Sequence, residues 1–91
     1  MAQVIVTMKI MPDDPEVDLK RLKEEAEKMI THFGGNLGKA EEEPIAFGLK
    51  AVALMFVMNE SIGSTDSLED QVRNLEGVNS VEITDVRRAI G

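Results

Sequence analysis

Four groups of residues have types and spacings that could carry chemistry. Asp13-Asp14, with Glu16 and Asp18 behind them, would offer oxygen ligands to a hard cation. Their spacing lacks the glycine and the terminal glutamate of a calcium loop, so a solvated turn running into a helix cap accounts for them better. Gly34-Gly35-Asn36-Leu37-Gly38 has the glycines of a phosphate cradle. Such a cradle needs backbone amides at a strand-to-helix turn and a following Lys-Ser/Thr. This run lacks that dipeptide and follows a helical pattern, which makes it a helix stop. His32 is the single histidine. No nucleophile or orienting carboxylate is identifiable for it, and it suits the negative end of a helix dipole. Arg87-Arg88 is the only adjacent basic pair in the second half of the chain. It reads either as ordinary surface or as a reach towards an anionic site on a partner. No enzyme motif emerges, so the chain is expected to be no enzyme and to need no metal and no cofactor.

Composition narrows the classes further. Ninety-one residues make one small domain, residues 1–91, with too modest a core for a deep substrate cavity. No cysteine is present, which removes disulfides, thiolate nucleophiles and cysteine zinc sites together. The net charge of −7 repels a phosphate backbone, and there is no Trp or Tyr to stack on bases, so no direct nucleic-acid binding is expected. No apolar run approaches the ~18 residues of a membrane span, and no signal-peptide pattern opens the chain. A cytoplasmic protein is the expectation.

The elements that must position these residues follow from periodicity. Gln3 to Met11 predicts a strand, with Val4, Val6, Met8 and Ile10 alternating on a wholly apolar side. Pro12-Asp13-Asp14-Pro15 breaks it. Asp18 caps a helix whose Leu19, Leu22, Ala26, Met29 and Ile30 recur at helical spacing, with Val17 and Leu22 as a hydrophobic staple. Leu37 to Glu43 predicts a weak polar strand whose Glu41-Glu42-Glu43 run suits a sheet edge. Ala46 to Met58 reads as the longest strand, apolar on both faces and therefore central. A second helix follows, capped by Thr65 or Asp66, with Leu68, Val72 and Leu75 inward and Gly77 closing it. Val78 to Val86 predicts the last strand, and Arg87 to Gly91 a short tail.

The order β-α-β-β-α-β is that of the ferredoxin-like α+β fold: a four-stranded antiparallel sheet with two helices on one face. The other face is then open. Val52, Leu54, Phe56 and Met58, beside Ile5 and Val86, are expected to form a large apolar patch there, suited to a partner or to self-association.

Several segments match a known family in order. They are Val6-Thr7-Met8-Lys9-Ile10-Met11-Pro12, Pro44-Ile45-Ala46-Phe47-Gly48-Leu49-Lys50, Gly63-Ser64-Thr65-Asp66 with Leu68-Glu69 and Gln71-Val72, and Val81 to Arg88. The chain resembles the archaeal elongation factor 1-beta family and is similar to the C-terminal exchange domain of the eukaryotic beta subunit. The resemblance implies a guanine-nucleotide exchange factor that binds the elongation factor 1-alpha GTPase and speeds GDP release, so that GTP can reload. It implies that Phe47, in the Pro-x-x-aromatic-Gly segment opened by Pro44, packs against the GTPase. It further implies that the end of the chain, with Arg87, Arg88 and Ile90, reaches towards the GTPase's Mg²⁺ region. The eukaryotic pattern has a lysine close to its end, whereas this sequence has Arg87-Arg88-Ala89-Ile90-Gly91. No covalent chemistry is implied, and the free chain is expected to be a monomer. From another class, a small regulatory ligand-binding module of the same fold, acting as a dimer through its sheet, is the alternative. An acylphosphatase-like enzyme is disfavoured, because its anion-cradling loop would here be the acidic Pro12-Asp13-Asp14-Pro15.

Overall fold

A computed structural model describes residues 2–89. Strand β1 (Gln3–Pro12) leads to helix α1 (Leu19–Phe33) and strand β2 (Asn36–Pro44). Strand β3 (Lys50–Asn59) runs into a 3₁₀ turn (Glu60–Ile62), helix α2 (Asp66–Arg73) and strand β4 (Val78–Ala89). The sheet order is β2-β3-β1-β4 with all neighbours antiparallel, so the expected ferredoxin-like α+β arrangement is present. Among the described residues, no helix is long and apolar enough to cross a membrane.

Local chemistry explains the helix ends. The Asp18 carboxylate accepts from the backbone N–H groups of Lys20 and Arg21 at 3.1 and 3.2 Å. This satisfies two of the donors that a helix start leaves without partners. Asp18→Ala is expected to lower the unfolding free energy by about 1 kcal/mol. Urea denaturation reads this as a lower midpoint at unchanged slope, and an unmoved midpoint contradicts it. At the other end Gly34 adopts φ 110° and, with Gly35, donates back to the Ile30 carbonyl at 3.2 and 2.9 Å. The glycine run is thus a helix stop. Thr65 is the N-cap residue of α2, but its hydroxyl donates to Glu69 at 2.8 Å instead of capping the backbone. Asp14 accepts from the Glu16 N–H, a turn stabilised within itself. No cluster of metal-ligating side chains occurs among the described residues.

The core lies between the helices and one sheet face. Directly opposed residues of neighbouring strands share a face. Val4, Val6, Met8 and Ile10 of β1 stand opposite Met58, Phe56, Leu54 and Val52 of β3. Both rows pack with Leu22, Ala26 and Ile30 of α1 and with Leu68 and Val72 of α2. This corrects the expectation that Val52, Leu54, Phe56 and Met58 lie on the open face: all four are buried under the helices. Period-two alternation divides β3 into two apolar sets but does not say which faces the helices. Volume decides it, because the bulkier set fills the space beneath them.

The open face instead carries Ile5, Thr7 and Lys9 beside Val57, Met55 and Ala53. It is laced with charge. Lys9 spans β3 to Glu43 at 3.8 Å, Lys39 pairs with Glu41 at 2.9 Å, and Arg87 with Asp85 at 2.7 Å. Small side chains at Ala51 and Ala53 leave room for the lysine arm. Among the described strand residues of this face, Met55 alone is a large hydrophobic that stands exposed. On the other side, Lys23 of α1 meets Glu42 at 2.7 Å. The lysine's hydrogen bond and charge hold the Glu42 carboxyl below its usual range. This contact therefore acts at neutral pH and is lost as pH falls through the lowered value. Glu41-Glu42-Glu43 does lie on an edge strand, as its charge suggested.

Candidate functional site

The hairpin joining β2 to β3 begins at Pro44, which pairs with Lys50 on the edge of the sheet, where a missing N–H is tolerated. Ile45 N–H donates to the Leu49 carbonyl and Leu49 N–H to the Ala46 carbonyl, both at 2.9 Å. Between them Phe47 has φ 54° and Gly48 φ 80°. Two positive φ values in the centre of a four-residue turn are the mark of type I′, whose twist matches the flanking strands. Glycine accepts this at little cost, but an aromatic residue does not. Phe47 is the only described non-glycine residue with positive φ. The residue is also 96% exposed, against 43% for Ile45. The sequence reading of Ala46 to Met58 as one strand is corrected here. Residues 46–49 are turn and β3 starts at Lys50, because closing a hairpin overrides the apolar run. Leu49 is only half-buried.

Arg87 and Arg88 lie inside β4 and not in a tail, a further correction. Backbone pairing with β1 continues to Ala89, opposite Gln3, and keeps the two arginines in the ladder. Neighbours on a strand point to opposite faces. Arg87 is on the open face, held by Asp85, whereas Arg88 is on the helix side. There Arg88 forms a fork with Glu60, its Nε and Nη2 donating at 2.9 to 3.1 Å to both carboxylate oxygens. The arginines are adjacent in sequence but cannot grip one anion together. Glu60 is not identifiable from sequence as the partner of Arg88, since 28 positions separate the two. Ile90 lies outside the described residues.

The two groups sit far apart. Arg88 stands in register with Val4 and, across β1, with Met58, whereas the Phe47 turn precedes Lys50. Eight residues of strand separate those levels, about 25 Å at the usual rise. The molecule is 42 Å in its longest dimension. The structure therefore places Pro44 and Phe47 together at one end, and Arg87 and Arg88 near the other.

No constellation of nucleophile, base and oxyanion donors accompanies either group, and no charged or polar residue among those described is buried. What remains is a protruding aromatic and a paired arginine, both suited to protein contact. The EF-1 guanine nucleotide exchange domain family matches residues 5–89 of the chain. The chain belongs to this family. Elongation factor 1-beta of Methanothermobacter thermautotrophicus is 46% identical to it over 88 residues, covering 97% of this chain and 98% of that protein. Elongation factor 1-beta of Staphylothermus marinus is 44% identical over 89 residues, with the same coverage. These exchange-domain relatives are archaeal and give the chain a nucleotide-exchange role in translation elongation.

Likeness in structure reaches wider than the exchange family. The ACT domain from a Chlorobium tepidum GTP pyrophosphokinase superposes with a TM-score of 0.61 at 18% identity, covering 89% of this chain and 97% of that one. The C-terminal domain of Mycobacterium tuberculosis MgtC gives 0.65 at 11% identity, covering 97% and 88%. At such identities they speak for the fold alone.

Proposed function

We propose that the chain is the exchange factor for the elongation factor 1-alpha GTPase, promoting GDP release so that GTP can rebind. The observation that carries this reading is Phe47. An aromatic side chain held almost wholly in solvent, on a backbone conformation it disfavours, gains nothing from the free fold. Strain of this kind persists where it serves contact. Buried in a partner's pocket, the same ring becomes an anchor of the sort that dominates interface energetics. Pro44 fixes the hairpin that presents it. Arg87 and Arg88 act at the distant end, so the GTPase is gripped at two separated points, and Ile90, outside the described residues, is assigned to the partner contact from the sequence alone.

No bond is made or broken by the chain in this account. The exchange factor binds the nucleotide-poor form of the GTPase better than the GDP-loaded form and so shifts its population. Reciprocity then constrains the numbers. The factor by which the chain weakens GDP binding must equal the factor by which GDP weakens binding of the chain. Titrating the chain into nucleotide-free and GDP-loaded elongation factor 1-alpha tests this. Tighter binding to the nucleotide-free form is expected, and equal affinity for both forms refutes the mechanism.

A further inference from the structure

Helix α2 is short. Its eight residues span about 12 Å, against roughly 40 Å for the twelve residues of β4. It buries Leu68 and Val72 within the core that includes Val78 and Val81. The far half of β4 is left uncovered on the helix side. Val86, in register with the buried Val6, is 58% exposed there. Arg88 follows two residues on and points to the same side. An apolar side chain and a guanidinium thus stand side by side on an uncovered edge strand, and the guanidinium is already clasped by Glu60.

We propose that Val86 and Arg88 form a second docking surface for the GTPase, taking one of its carboxylates, and that Glu60 occupies the fork until that carboxylate displaces it. This rests on the exchange reading and adds the chemistry of the second contact. The Arg88 fork already holds a carboxylate through both oxygens, which is the pairing that guanidinium geometry favours. Both partners of the clasp are exposed, with side chains 68% and 45% accessible, so water screens the pair and exchange for another carboxylate is easy. A partner large enough to receive Phe47 about 25 Å away can also reach this surface, which a small ligand cannot. Glu60 keeps the one cation of the surface neutralised in a chain of net charge −7 and lowers its affinity until the right anion arrives.

The test is calorimetric titration of the full chain into nucleotide-free and GDP-loaded elongation factor 1-alpha. Glu60→Gln is expected to tighten binding to the nucleotide-free form about two- to five-fold by freeing Arg88. The same substitution in an Arg88→Ala background is expected to do nothing. Arg88→Lys, which keeps the charge and loses the fork, should weaken binding nearly as much as Arg88→Ala. Val86→Asp should also weaken binding, by setting a negative charge against the incoming carboxylate. Glu82→Gln, an equal change of net charge on the open face, should leave affinity unmoved. Unchanged or weaker binding of Glu60→Gln overturns the proposal. So does equal tightening in the Arg88→Ala background, which would be a long-range charge effect. Tightening confined to the GDP-loaded form assigns the anion to a nucleotide phosphate and overturns the partner carboxylate. Binding by the unaltered chain with no response to Glu60 leaves the exchange reading standing and sinks this one; no complex with any variant removes both.

Discussion

Phe47→Asn is expected to stabilise the free protein while disabling it. Asparagine occupies positive φ far more readily than phenylalanine does. Relieving the turn should add about 1 kcal/mol to the unfolding free energy. For a domain of this size that is a rise of roughly 4–8 °C in Tm. The same change removes the exposed ring, so the complex with the GTPase should weaken by on the order of 2 kcal/mol, about thirty-fold, if the ring is an interface anchor. Phe47→Ala should lose the contact without the full stability gain, because alanine still disfavours positive φ. The pairing of effects distinguishes the readings. A purely structural phenylalanine would cost stability when replaced, and with 96% of the residue in solvent there is little packing to lose. Thermal unfolding and titration on the same preparations decide it: a lower Tm, or unchanged affinity, contradicts the role given to Phe47.

Phe56→Ala is expected to have the largest effect on the fold. Phe56 is 0% exposed, and its ring packs so closely on Gly35 that a Cβ built there would lie 3.0 Å from it. Removing a buried aromatic typically costs 3–5 kcal/mol, about half of what a domain of this length has in total. Met55, the next residue, is 37% exposed on the open face, and Met55→Ala should cost under about 1 kcal/mol. Chemical denaturation of the two variants therefore tests which face of β3 is the core. Comparable losses at both positions would contradict the assignment.

That assignment marks the limit of what residue order could show. β1 was legible because only one of its faces is apolar, and α1 because Asp18 and Gly34 punctuate it at both ends. β3 was ambiguous because Ala51, Ala53, Met55 and Val57 are as apolar in kind as Val52, Leu54, Phe56 and Met58. The difference between the sets is volume, and volume matters only once helices stand over it. In β4 the pairing with β1 slips at Thr7/Met8 and at Met11/Pro12. Inward residues consequently fall at Val78, Val81, Ile83 and Val86, spacings of three, two and three. Alternation counted from Val81 and Ile83 puts Val86 on the open face, and a strand that stops at Val86 assigns no face to Arg87 or Arg88. At the site, Phe47 was singled out from its segment, but its strained backbone follows from hairpin closure, which no run of apolar residues announces. Glu60 became visible only when a contact distant in sequence was drawn.

Elongation factor 1-alpha is loaded with fluorescent GDP, chased with excess unlabelled GTP, and followed with a substoichiometric amount of this protein present. Faster release is expected, at a rate that rises with the amount added, with each molecule discharging many copies of the GTPase and Phe47→Asn losing most of the acceleration. Release at the spontaneous rate, whatever the amount of protein, would contradict the exchange reading.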